Sequence, residues 1–470
     1  MRTNVRAAAA IFRELIGYVL AKDSCFFCGV VFSVAVMVTS LYSAAQPIGA
    51  RIDIRQYGAV PDDDGNDATA IRAAMDAACR MPGSIVYFPP GVYRFADEKA
   101  LAIEYAALSG QYGEHVQDTL FKPDAPYVIA LDLTGAQNVT IEAHGATLQF
   151  EGWYEAVSVR QAGHIRINGL TIDYKRPPYT EGTITEVHDD YFDMEVDVDR
   201  FPMVEGTVTG RIHFYDVQKS RLYSGAWHEP KTTINDSTIR VHSSAKPRRG
   251  DICILRHSAH YRPAILLKES IDIKLNDVVI HSQPGMGVVG HRCENITMNN
   301  LQVIPRPGSV TSTNTDATHF TTCSGHIALN ACKFGGQGDD CTNIHNYYYT
   351  LYPVRHQPDE LEIRVEEADL HALSLDYPDK GDTLLLVERG TLDPVERFTV
   401  VSVDTSTADW RVAVRLDKPF LFDVSMHYLT NETRRPSVEI VNNTVRSHLA
   451  RAYLIKTDNV RIVGNTIQQS

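Results

Sequence analysis

Asp316 lies in the run Asn314-Thr315-Asp316-Ala317-Thr318-His319, and the pair Asp339-Asp340 follows Gly338, so two polar motifs stand 23 residues apart. Grouped carboxylates shift one another's proton affinity, which lets one stay protonated as an acid while its partner is ionised as a base. Such a pair cleaves glycosidic bonds with inversion when roughly 6.5–9.5 Å separates acid from base and a water fits between them. An isolated Asp-Asp is ordinarily a solvated turn. Here His319, His326, Asn343 and His345 crowd the same stretch with hydrogen-bonding groups that a turn does not require.

What must position these motifs is a repeat. The template Val/Ile-x-Ile/Met/Leu recurs at Val139-Thr140-Ile141, Ile165-Arg166-Ile167, Ile271-Asp272-Ile273, Ile296-Thr297-Met298, Ile327-Ala328-Leu329, Val438-Glu439-Ile440 and Val460-Arg461-Ile462, with Asn or His before five of the seven. Each copy alternates apolar and polar residues as a half-buried strand does. The Asn or Gly that follows (Asn168-Gly169, Asn276, Asn299-Asn300, Asn442-Asn443, Gly464-Asn465) suits a turn to the next face. Units that bury their inner side only against their neighbours make a solenoid. The pattern therefore predicts an all-β chain, a right-handed parallel β-helix whose coils of 22 to 31 residues place Asp316 and Asp339-Asp340 on adjacent turns.

The repeat organises the rest of the chain. Residues 46–174 read as an N-terminal cap and first coils, 268–346 as central coils carrying the carboxylates, and 436–470 as the last coils. Two gaps, 175–267 and 347–435, are too long for loops and read as inserted antiparallel β-barrel-like subdomains. In the cap, Ile71, Ala74, Met75, Ala78 and Cys79 give a helical stripe that Asn66 or Asp67 can cap. Residues 1–45 read as a signal peptide, with Arg2, Arg6, Arg13 and Lys22 ahead of an apolar run and Ser43-Ala44-Ala45 as a cleavage site. Export follows, with a signal anchor as the alternative and no stable membrane partner once the segment is removed.

The 470 residues carry a formal charge of −13, and the first 45 hold four basic and two acidic residues, which leaves the remainder near −15. Nucleic acid is excluded as a partner, and a polyanionic sugar is disfavoured. Of the eight cysteines, Cys79, Cys253, Cys293, Cys323, Cys332 and Cys341 fall outside the export segment. They form no paired metal-binding spacing and read as mostly free, buried thiols.

The cap block, beginning Ile52-Asp53-Ile54-Arg55-Gln56-Tyr57-Gly58, resembles that of the pectate-lyase-like superfamily. Thr313 to Phe320, followed by Phe334-Gly335-Gly336-Gln337-Gly338-Asp339-Asp340-Cys341-Thr342-Asn343-Ile344-His345, resembles glycoside hydrolase family 110. The resemblance implies a metal-independent, inverting exo-α-1,3-galactosidase that acts on terminal galactose of glycans, without a cofactor. It implies Asp316 as general acid and Asp339 and Asp340 as the carboxylates that activate water, either of them the base. It places His319 and His345 at sugar-contacting positions and Asn314 beside the acid. Arg292 and Arg306 are further candidates for the cleft, against the plainer reading of surface arginines. The family continues past a coil equivalent to the last one here, so an uncapped end is expected. Two alternatives stand beside this reading: a family 28 polygalacturonase-like hydrolase, echoed by Asn314-Thr315-Asp316, Asp339-Asp340 and Leu454-Ile455-Lys456, and a non-catalytic glycan-binding β-helix. Aspartate clusters on β-helices also bind Ca²⁺, as in pectate lyases, where a basic residue completes the chemistry. Lys456 is the candidate for that part, and no metal is expected.

Overall fold

The computed structural model describes residues 49–468 except 114, 123–124, 205–210, 228–230, 259, 355–356, 366–375 and 407–410. The export segment lies outside these, as do Gly206-Thr207-Val208 and Trp410 of the inserts. Among the described residues no helix is long and apolar enough to cross a membrane.

Three parallel sheets of nine, eight and seven strands form the faces of a β-helix. Each coil visits them in the same order. Thr140–Glu142 lies on the first face, Ala146–Phe150 on the second and Glu155–Arg160 on the third, before Gly163–Asn168 returns to the first. The repeat copies all fall on the nine-stranded face, where Ile273 pairs with Ile165 and Ile296, Ile296 with Ile327, Ile327 with Val438, and Val438 with Val460.

One copy is displaced from its expected register. Ile271 pairs with Gly163 and Glu294, so Ile273-Lys274-Leu275 occupies the rung position and Ile271 is left 40% exposed. The backbone explains this. Residues just before the inward-facing strand adopt a left-handed conformation (Asn138 φ 55°, His164 φ 56°, Asn295 φ 58°, Asn459 φ 55°), and Asp272 at φ 55° is their counterpart. Short polar side chains tolerate that conformation, so they mark the corners. At the next corner, asparagines stack from coil to coil. The Asn276 amide donates to Asn168 at 2.8 Å, Asn299 to Asn276 at 2.8 Å and Asn330 to Asn299 at 3.1 Å.

The cap helix, Ala68–Cys79, buries Ile71, Ala74, Met75 and Ala78 as its stripe predicts. Asp67 precedes it but does not cap it. Its carboxylate instead accepts the backbone N–H groups of Val60 and Arg94, tying the cap loop to the second face. Between the second and third faces, after Tyr174, the chain forms a seven-stranded antiparallel sheet with Tyr179–Val187 paired to Phe192–Val196 and Ile252–Arg256. Between the third and first faces a six-stranded antiparallel sheet follows, from Thr350–Pro353 to His427–Asn431. Tyr349 and Leu429 exchange backbone hydrogen bonds of 2.7 and 3.3 Å, which joins its outer strands and closes it on itself. Each insert has its own apolar core. All six thiols among the described residues are free, and five are buried.

Candidate active site

The turns from the second face to the third stack on one another, and they carry the polar motifs. Asp316 precedes the third-face strand Thr318–Thr321, Asp339 and Asp340 precede Thr342–His345, and Arg451 precedes Tyr453–Ile455. The first insert leaves the coil from the same stack, so its strand Ile252–Arg256 ends against the carboxylates.

Hydrogen bonds hold the turns rigidly. The Asn314 amide donates to the carbonyls of Ser258 (2.8 Å), Pro284 (3.3 Å) and Pro178 (3.4 Å), and the Asn314 carbonyl accepts the guanidinium of Arg256, a fully buried arginine from the first insert. Gly338 passes between them. A Cβ there would meet the Asn314 carbonyl oxygen at 2.3 Å and Arg256 Nη1 at 2.8 Å, so only glycine brings Asp339 this close.

Asp316 is 4% exposed; its Oδ1 accepts the Asp340 backbone N–H at 3.1 Å, and its Oδ2 lies 2.7 Å from His319 Nδ1. Asp340, 1% exposed, takes both arms of the Arg451 guanidinium at 2.8 and 2.9 Å and the Arg451 backbone N–H at 2.8 Å. Asp339 is half-buried. Burial, and then the charge of Asp340, push Asp316 up to about 8. Burial, and then the charges of Asp316 and Asp340, push Asp339 up to about 6, against the pull of Arg256 and Arg211. Burial holds His319 and His345 down at about 3, so both rings are neutral. At pH 7 the cluster thus offers a protonated Asp316 beside an ionised Asp339. That is an acid and a base in one pocket.

The carboxylates lie closer than the sequence suggests. Oxygens of Asp316, Asp339 and Asp340 all fall within 4.8 Å of one another. Neighbouring coils already approach to roughly 4.8 Å, and the Asp340 N–H to Asp316 bond draws the turns together instead of letting the side chains splay. Spacing alone therefore does not supply the wide separation expected of an inverting pair. Arg451 supplies a positive charge to this group, its guanidinium bound in a fork to Asp340.

Other residues singled out from the sequence lie elsewhere. Arg292 sits in a left-handed corner (φ 53°) at the far end of the third-face strand Val288–His291, stacks on Tyr377 and pairs with Asp379 of the second insert. Its corner is level with Thr321, past the strand that Asp316 precedes. Arg306 binds Asp173 and the Tyr174 carbonyl, His326 faces Ser437 on the first face, and Lys456 follows the strand that Arg451 precedes. Asn314 is in the site as a brace, with its amide given to backbone carbonyls and no hydrogen bond to the Asp316 carboxyl. His319 and His345 are in the site, with their Nε2 atoms 3.1 Å apart. Arg451 escaped sequence reading because the second insert separates it from the motifs, and Arg256 because it belongs to the first insert and not to a coil. Arg451 lies 111 residues from Asp340, yet it occupies the same turn one coil on.

The raised proton affinity of Asp316 has a consequence for stability. Between about pH 4 and pH 8 the unfolded carboxyl gives up its proton while the folded one keeps it, so this group's contribution makes the fold less stable as pH rises through that window. Asn at this position carries an N–H₂ where the acid has its hydroxyl and never ionises. Asp316→Asn is thus expected to be more stable than the parent at pH 8.5 by on the order of 1 kcal/mol, with a smaller gap at pH 5, measured by urea unfolding.

Residues 51–111 match the rhamnogalacturonase A/epimerase, pectate lyase-like family, and residues 253–354, which hold all three aspartates, match glycosyl hydrolases family 28. An α-1,3-galactosidase A of Bacteroides fragilis is 27% identical over 88% of this chain and 70% of its own length. An α-1,3-galactosidase B of Bacteroides thetaiotaomicron is 24% identical over 89% of this chain and 70% of its own. The solved family 28 exopolygalacturonase of Yersinia enterocolitica aligns with 64% of this chain and 54% of its own at 12% identity and a TM-score of 0.28.

Proposed function

Because this chain belongs to the α-1,3-galactosidases, glycoside hydrolase family 110 within the pectate-lyase-like β-helix superfamily, we propose that it removes terminal α-1,3-linked galactose from glycans of the blood-group-B or linear Gal-α-1,3-Gal type. The protein is a glycoside hydrolase. The observation that carries the mechanism is the cluster of three carboxylates within 4.8 Å of one another, with Asp316 buried and Asp339 half-buried, so that burial and neighbouring charge raise Asp316 further than Asp339. Asp316 gives its proton to the glycosidic oxygen as the C1–O bond breaks. Asp339 takes a proton from the water that attacks C1, and Asp340, fixed by Arg451, holds that water in place. Asn343, half-buried on the third face beside His319, is the partner for sugar hydroxyls. Inversion is proposed from the family resemblance. The galactosidase is exported through its N-terminal segment.

A second division of labour rests on a specific observation. Asp339 is the half-exposed carboxylate of the three, whereas Asp316 and Asp340 are buried and tied to each other through the Asp340 N–H. In that arrangement Asp339 donates the proton and the other two hold the water. The family 28 match over residues 253–354 likewise favours polygalacturonate as the second substrate class. Release of galactose is tested on Gal-α-1,3-Gal, the B-type trisaccharide and Gal-α-1,4-Gal, and release of galacturonate on polygalacturonate. Cleavage of the α-1,3 substrates alone supports the proposal. Cleavage of polygalacturonate replaces it, and binding without turnover makes the chain a glycan-binding module.

A further inference from the structure

The hydrogen bonds around the acid have a direction. Asp316 Oδ2 lies 2.7 Å from His319 Nδ1, His319 Nε2 lies 3.1 Å from His345 Nε2, and His345 Nδ1 lies 3.3 Å from the Asn346 carbonyl oxygen. A carbonyl can only accept, so His345 carries its hydrogen on Nδ1. A neutral His345 then has a bare Nε2, which accepts a hydrogen from Nε2 of His319. The Nδ1 of His319 is bare in turn, and it can only accept from the hydroxyl of a protonated Asp316. In the opposite orientation His319 would donate to an Asp316 carboxylate, and His345 would need hydrogens on both nitrogens, a cation in a buried place already next to Lys456.

We propose that His345 is a positioning residue that locks the tautomer of His319, through the Asn346 carbonyl, so that His319 accepts from Asp316 and the acid of the site stays protonated. The proposal rests on the reading of Asp316 as proton donor. The stored O–H turns about its C–O bond from His319 to the glycosidic oxygen when substrate arrives. Nothing in this role requires either ring to become charged. The charged and titratable groups that face the line are Asp339, Asp340 and Arg451 around Asp316, His260 of the first insert beside His319, and Lys456 and Tyr347 beside His345. The lock explains why two neutral imidazoles meet edge to face beside a carboxyl.

The test reads tautomers directly, without relying on activity. Protein carrying ¹⁵N-labelled histidine is examined by long-range ¹H–¹⁵N NMR at pH 5 to 7, with His319→Asn and His345→Gln identifying the signals. The lock predicts hydrogen on Nε2 of His319 and on Nδ1 of His345. Hydrogen on Nδ1 of His319 overturns it. This holds even for a protein that releases no galactose, so failure of the substrate assignment and failure of the lock are told apart. In an active enzyme, His345→Met removes the acceptor, frees His319 to donate to the carboxylate, and moves the alkaline limb of kcat/KM down by about one pH unit. His345→Gln supplies a side-chain carbonyl as acceptor and returns the limb to its parental position. Coincident limbs in all three proteins contradict the lock, whatever the activity lost.

Discussion

Asp316→Ala lowers kcat on Gal-α-1,3-Gal by roughly 10²–10⁴-fold, yet keeps most of its rate on 2,4-dinitrophenyl α-galactoside. The difference lies in the leaving group. A sugar alkoxide departs only with a proton, whereas dinitrophenolate departs without one, so a missing acid is felt by the first substrate and not by the second. Asp339→Ala loses both rates to a similar degree, and azide, which needs no base, restores turnover by attacking C1 itself. The two variants thus separate the roles that Asp316 and Asp339 share in one pocket. If Asp339 is the donor, the two patterns exchange. Equal loss on both substrates in both variants, with no azide rescue, would remove the carboxylates from acid and base duty altogether.

The second large effect is at Arg451. Its guanidinium is 58% exposed while the carboxylate it grips is 2% exposed, so two rules compete. An exposed ion pair contributes at most about 1 kcal/mol, whereas a buried charge stripped of its partner costs about 3–5 kcal/mol. The buried member decides the outcome, because without the guanidinium Asp340 keeps only the Arg451 backbone N–H of the three hydrogen bonds it takes from that residue. Arg451→Gln is expected to lose about 2 kcal/mol in urea unfolding, below the fully buried range because solvent screens the arginine side. Its kcat falls by about 10²-fold, as Asp340 and the Asp316 carboxyl bonded to its N–H lose their placement. Arg451→Lys recovers part of the stability and less of the activity, since an ammonium cannot form the fork. Parental stability in Arg451→Gln would class the pair as an ordinary surface bridge.

The solenoid was legible because its first-face strands are long enough to alternate. Ile165, Ile296, Ile327, Val438 and Val460 fall in register as their spacing predicts. Strands such as Val279–Ile280 and Gln302–Val303, of two residues each, carry no period and left the second face invisible. The Ile271 copy misled for a related reason. Apolar residues at 271, 273 and 275 fit two registers, and only the left-handed corner at Asp272 decides between them. The aspartates were legible as chemistry because their turns carry no insert between Asp316 and Asp340. Arg256 and Arg451 were not, since the first lies on an inserted sheet and the second beyond one, and neither contact leaves a trace in local spacing. Arg292 was read toward the site by its place near a rung. The corner turns it instead to the opposite end of the strand, against Tyr377 and Asp379.

The direct test of the central claim is the anomer first released from Gal-α-1,3-Gal, followed by ¹H NMR before mutarotation. β-Galactose is expected to appear first, and Asp316→Asn to abolish it. Initial α-galactose would contradict direct displacement by water and make one of the closely spaced carboxylates a nucleophile.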